Sequence, residues 1–275
     1  MSVMVSGRNG VADVAGSVPR LLEILDRLFP PDPSAFMSGA QQTVHESVKA
    51  TETMGSYLQE LGETSTLDVL DFGCGWGGET MWVAGRVRSV CGVDVDRHAI
   101  AQARTALSGT SLMNCRFELS LDGRLPFPDA SFDAVLSTDT FEHVMDLDLA
   151  FSEIARVLRP GGSLLTRFGP LFRSPHGGHL YWACQVPYAH LLFGIDAIVA
   201  LRARRGGAHR AVRSWQDLGL NGKRFDDYRG AMLAAGFQPV RFDPIAVRGL
   251  TLVTRLKGLK DYFIFGIDCH VRRPA

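Results

Sequence analysis

The sequence predicts an α/β protein: a doubly wound, mostly parallel seven-stranded sheet, with a helical extension before it and one large insertion after the fifth strand. Three observations carry this. From Leu67 onward, short β-branched or apolar runs alternate with helical stretches. Turn residues separate them, with Pro126, Pro128 and Asp129 ahead of a strand at Phe132, and Pro160-Gly161-Gly162 between a helix and the next strand. The alternation stops over about residues 169–222, a stretch rich in aromatics and histidine, and then resumes.

In chain order, a short helical pattern around Val18–Leu28 is ended by Pro30, Pro31 and Pro33. A second helix is expected from Gln42 to Leu61. Neither has a partner of its own size, so residues 1–62 are assigned to an extension that packs on, or lids, a main domain of residues 63–275. Within that domain the expected strands are Leu67–Phe72, Ser89–Asp94, Asn114–Leu119, Phe132–Thr138, Gly162–Phe168, Phe237–Asp243 and Tyr262–Val271. Helices are expected at Glu79–Arg86, Arg97–Leu107, Leu147–Leu158 and Asp226–Ala235. Insertions at the carboxyl edge of such a sheet shape the ligand site.

Composition narrows the function. The 275 residues hold 29 Lys+Arg against 29 Asp+Glu, so the basic excess of a nucleic-acid binder is missing. Five cysteines, with no Cys-x-x-Cys pair, exclude a disulfide scaffold and suit a reducing cytoplasm. Met1 to Gly16 carries Arg8, Asn9 and Asp13 and does not read as a signal peptide. The most apolar internal stretch, His190 to Leu201, contains Asp196 and is too short to span a bilayer.

The strongest signal is Val69-Leu70-Asp71-Phe72-Gly73-Cys74-Gly75-Trp76-Gly77-Gly78, which ends a strand and opens a helix. Gly73, Gly75 and Gly78 formally fit the dinucleotide pattern G-x-G-x-x-G, so a nicotinamide-dependent oxidoreductase is one reading. Charge favours another. Asp71 stands beside the turn, where a pyrophosphate would be repelled but the sulfonium and ammonium of S-adenosylmethionine would be attracted. Asp94, at the end of the second strand and about twenty positions after Gly73, stands where a carboxylate meets ribose hydroxyls. The alternative for Asp94 is a cap on the helix at Arg97.

Asp71–Gly78, Asp94, the run Leu125-Pro126-Phe127-Pro128-Asp129-Ala130-Ser131-Phe132-Asp133, and Phe141-Glu142-His143-Val144 together resemble the class I S-adenosylmethionine-dependent methyltransferases, which share a Rossmann-like sheet. They most resemble the small-molecule branch called type 11, over roughly Leu67 to Phe168. The resemblance implies S-adenosylmethionine as cofactor and S-adenosylhomocysteine as product. It places Asp71 beside the methionine amino group; Gly73, Cys74, Gly75 and Gly77 along the cofactor; Asp94 on the ribose diol; and Val95, Leu121 and Asp122 against adenine. The stretch Ser120-Leu121-Asp122-Gly123 departs from the family pattern, its Asp coming about one position late.

Methyl transfer needs alignment, exclusion of water and, for a hydroxyl acceptor, a base. Histidine, with an unperturbed pKa of about 6.5, suits neutral pH. His143 follows the fourth strand; His176 and His179 flank two glycines in the insertion; these three are the base candidates. The expected reaction is methylation of a hydroxyl oxygen on a sugar or secondary metabolite, with C- or N-methylation of a natural product or quinone as the alternative. Asp139-x-x-Glu142-His143 also resembles a metal-binding Glu-x-x-Glu-His of some quinone O-methyltransferases, so a divalent metal is an option, as is a His176/His179 metal pair. His190, on an apolar stretch, is read as a core residue. Arg202, Arg204, Arg205, Arg210 and Arg213 read as a solvated lid face or a contact to an anionic substrate or membrane surface. Trp76 and Trp82 are expected to pack the cofactor helix, and Trp182 and Trp215 to line the acceptor pocket.

Overall fold

The computed structural model describes residues 17–30, 37–181, 183–204, 212–256 and 258–275. Readings on residues 1–16, Pro31, Pro33, Trp182, Arg205 and Arg210 lie outside the described residues. The described chain runs α1 (Arg20–Leu28), α2 (Gly39–Lys49), α3 (Thr53–Leu61), β1 (Asp68–Phe72), α4 (Gly78–Ala84), β2 (Ser89–Asp94), α5 (Arg97–Ser108), β3 (Cys115–Leu119) and β4 (Phe132–Thr138). There follow α6 (Leu147–Val157), β5 (Leu158–Phe168), α7 (Ala189–Leu192), α8 (Ile195–Arg204), α9 (Phe225–Ala234), β6 (Gln238–Ala246), α10 (Lys260–Phe263) and β7 (Ile264–Arg272).

The seven strands form one sheet in the order β3-β2-β1-β4-β5-β7-β6, with β7 antiparallel to both its neighbours and the pairs from β3 to β5 parallel. The winding direction reverses between β1 and β4, and a ligand crevice opens at the carboxyl ends of strands at such a switch. Central strands are buried on both faces because alternate side chains feed two cores. Leu70, Val135 and Leu164 pack with Phe141, Phe151, Ile154, Phe168 and Tyr228 on one face. Val69, Ala134, Leu136 and Leu165 pack with Met54, Tyr57 and Val83 on the other.

The helix expected over Gln42–Leu61 is two helices. It starts earlier, because Ser38 and Gln41 form a capping box, and it breaks after Lys49. The break lets the two halves cover different surfaces. In α2 no residue is fully buried, and it lies on the glycine turn, whereas α3 sinks Met54, Tyr57 and Leu58 into the core. The sixth strand runs past its expected end at Asp243 to Ala246, through Pro244. An edge strand tolerates proline because one side of it has no ladder to lose, and β6 is that edge. No helix among the described residues is long and apolar enough to cross a membrane.

Candidate active site

The turn after β1 is held by its neighbour strand. The N–H groups of Gly73 and Cys74 both donate to the Val93 carbonyl, at 2.8 and 3.0 Å. Gly73 has φ +79°, and a Cβ there would clash with the Thr140 side chain that follows β4. Gly77 also has positive φ, turning the chain into α4. Asp94 Oδ2 accepts from Gly75 N at 3.0 Å and its Oδ1 from Asp96 N at 2.8 Å. The helix at Arg97 is capped by Asp96, which accepts from His98 N and Ala99 N, so Asp94 is left at the strand end beside the turn.

Next to Asp94 two apolar side chains are exposed: Val95 at 55% and Leu121 at 51%. Adjacent strand ends bring them together, since Ser120 N donates to the Asp94 carbonyl at 2.9 Å. Exposed aliphatic surface beside a carboxylate at this edge is suited to one face of a planar base. Asp122 is exposed in the same loop. Cys74 is buried and packs with Ile100, Ala103 and Phe117.

Carboxylates crowd the inner side of the turn. Asp71 is 2% exposed, and its Oδ2 accepts from Thr80 Oγ1 at 2.5 Å. It lies beneath the turn, where burial, reinforced by the charge of Glu79, pushes its carboxyl well above the usual range. Buried Glu79 accepts from Thr53 Oγ1 at 2.9 Å and from Thr138 Oγ1, and burial raises it too. Glu46, reaching in from α2, accepts from Gly78 N at 2.9 Å and Trp76 N at 3.2 Å, and burial holds its carboxyl up at about 7. Such a group of acids is stabilised by a nearby cation and hostile to a pyrophosphate.

The amides of Trp76 and Gly78, where the turn enters α4, are bonded to Glu46. No local signal marks Glu46, because it stands 32 residues from Gly78 on another helix. Trp76 packs against Gly39 at the start of α2, and Trp82 lies against the second core with Arg86 3.5 Å over its ring.

Beyond β4 the chain enters a 3-10 turn, Phe141–His143. Phe141 is fully buried and stacks among Phe72, Phe151 and Phe168, which fixes the residues on either side of it. Glu142 is 3% exposed; its Oε1 accepts from Gly169 N at 3.2 Å, while its Oε2 has no hydrogen-bond partner. His143 Nδ1 donates to the Gly219 carbonyl at 3.0 Å and His179 Nε2 donates to the Pro170 carbonyl at 3.0 Å. A carbonyl only accepts, so each neutral ring keeps a lone pair on its other nitrogen. The two rings meet edge to face at 4.9 Å. Burial lowers the pKa of both, that of His179 to about 4.

One sequence expectation is redrawn here. Asp139 does not join Glu142 and His143; it pairs with Lys49 of α2. The His176 ring stacks with Tyr181 at 6.4 Å, and Tyr181 in turn lies 6.2 Å from His179. His190 is 4% exposed, bonded to the Phe172 carbonyl and packed on Trp215, as its apolar context suggests. Trp215 also joins the packed insertion, 6.1 Å from Phe172. Arg204 pairs with Glu23 of α1.

Comparison with known proteins agrees with this geometry. Residues 70–166 match the family described as methyltransferase domain. The chain is 34% identical over 137 residues to methyltransferase GfsG of Streptomyces halstedii, covering 49% of this chain and 46% of that one. It is 37% identical over 132 residues to a demethylmenaquinone methyltransferase of Tropheryma whipplei, covering 44% and 54%. The chain thus spans about half the length of these relatives. In fold it is similar to an S-adenosylmethionine-dependent methyltransferase of Aquifex aeolicus, at 14% identity and a TM-score of 0.54, over 86% of this chain and 98% of that one. The sheet with its single reversed strand, the glycine turn ringed by carboxylates and the family match point the same way: residues 70–166 carry a methyltransferase domain similar to the class I S-adenosylmethionine-dependent methyltransferases.

Proposed function

We propose that the protein transfers the methyl group of S-adenosylmethionine to a hydroxyl oxygen of a small molecule, a sugar or secondary metabolite. In this reading Gly73, Cys74, Gly75 and Gly77 run along the cofactor and Asp94 holds its ribose. Val95, Leu121 and Asp122 face adenine, and the acids Asp71 and Glu79 compensate its positive charge from below. Residues 1–62 act as a lid, supported by the way α2 sits on the turn through Glu46, Gly39 and Lys49. The balanced net charge favours a small acceptor over a nucleic acid, in a cytoplasmic setting.

The observation that carries the acceptor assignment is the Glu142/His143/His179 cluster at the carboxyl edge of β4. It presents two lone pairs on imidazoles whose other nitrogens are anchored to backbone carbonyls. An oxygen acceptor must give up a proton as it attacks the methyl carbon, and these lone pairs can receive it. His176, one ring further out, is the remaining candidate. The test is S-adenosylhomocysteine release across a panel of hydroxylated acceptors, with nicotinamide cofactors as controls. Turnover confined to amines or carbon acids would overturn the oxygen assignment; an NADH fluorescence change on mixing would overturn the cofactor assignment. Transfer to carbon or nitrogen is the second reading, favoured by the similarity to a demethylmenaquinone methyltransferase.

A further inference from the structure

We propose that Glu142, His143 and His179 bind one divalent transition-metal ion of the zinc class. One ligand atom from each of the three lies within 4.8 Å of the other two. Around a tetrahedral metal with bonds of roughly 2.1 Å, ligand atoms stand about 3.4 Å apart, so closure needs paired side-chain movements adding up to about 1.4 Å or less. The residues come from two segments, the 3-10 turn after β4 and the insertion; sequence spacing singled out each of them for a metal but grouped Glu142 and His143 with Asp139, and His179 with His176.

Three features set this cluster apart from an incidental meeting of polar groups. Buried Glu142 Oε2 has no partner, an expensive omission for a carboxylate with 3% exposure. Each histidine is anchored through one ring nitrogen to a backbone carbonyl and keeps the other as a free donor, as metal-bound imidazoles are held by outer hydrogen bonds. The donor set, two imidazoles and one carboxylate, matches three-ligand sites that leave at least one position open for zinc or iron(II). A cation would satisfy the orphan oxygen and both lone pairs at once.

The consequence for the reaction rests on the proposed oxygen acceptor, whereas binding of the ion does not. An ion here would lower the pKa of an acceptor hydroxyl placed at its open position. With the ion bound the two imidazoles are ligands and no longer bases, so the hydroxyl proton passes to water, the oxygen lone pair forms the bond to the methyl carbon, and the carbon–sulfur pair returns to sulfur. S-adenosylhomocysteine leaves neutral at sulfur, and no electron changes hands with the ion.

The experiment is a cobalt(II) titration of the chelator-stripped full chain, read by visible d–d absorption, with bound metal counted by elemental analysis. One equivalent is expected, with affinity reduced at least about tenfold in Glu142→Gln and in His179→Ala, and unchanged in His176→Ala. A wild-type protein that binds no saturating cobalt overturns the proposal, whatever the variants do. So does wild-type affinity in a folded His143→Ala/His179→Ala variant, checked by its thermal melt. S-adenosylhomocysteine titration in the same samples separates the two claims: cobalt bound with no S-adenosylhomocysteine binding supports the metal site and sinks the methyl-transfer reading.

Discussion

The carboxylate of Glu46 accepts the N–H of Gly78 at 2.9 Å, tying helix α2 to the amino end of the helix that opens the glycine turn. Thirty-two residues separate the two, and the contact holds α2 against the turn. Because burial raises the Glu46 carboxyl to about 7, the folded protein binds a proton that the unfolded chain releases at lower pH. The associated stability is complete below about pH 4.5 and is lost as pH rises through 7. Urea unfolding of the wild type should therefore lose up to about 3 kcal/mol over this window relative to Glu46→Gln. Parallel stability–pH curves for the two proteins would contradict it.

Asp94 both braces the turn, through Gly75 N and Asp96 N, and presents its carboxylate at the strand end. Asp94→Ala is expected to weaken S-adenosylhomocysteine binding by about 10- to 100-fold, the scale of a lost charged hydrogen bond. Calorimetric titration checks this. Asp94→Asn, which keeps acceptor oxygen but not charge, should fall between the two.

Phe141 is packed on three sides by Phe72, Phe151 and Phe168. Phe141→Ala should destabilise the fold by about 3–5 kcal/mol, read from denaturant unfolding. The damage should reach Glu142 and His143, which share its turn, so activity should fall further than the loss of folded protein explains.

Histidines that look alike in the sequence should part in the assay. His143→Ala is expected to lower kcat by roughly a hundredfold or more with S-adenosylhomocysteine affinity unchanged. His190→Ala should instead lower the melting temperature, since His190 is buried between Phe172 and Trp215. Equal effects on kcat would remove the distinction between the proposed site and the core.

The alternation from Leu67, the turn Asp71–Gly78 and Asp94 were legible because a parallel sheet and its first crossover impose local rules. Central strands must be apolar, the turn must be built of small residues, and an acid must end the second strand. The break between α2 and α3 was not legible, since it depends on two surfaces that only the folded chain supplies. The spacing of Asp139 to His143 suggested a group that folding dissolves: Asp139 takes Lys49 as its partner, and His179 comes in from the insertion.

The one-dimensional pattern by itself determined the mostly parallel sheet, the alternation of its strands with helices and the edge where ligands enter, because these follow from side-chain periodicity and short-range backbone constraints. Tertiary structure alone decided that Glu46 caps the turn and that Glu142, His143 and His179 converge. Those contacts join segments about 30 or more residues apart, and which of several acids and histidines meet depends on how helices and insertion pack over the sheet.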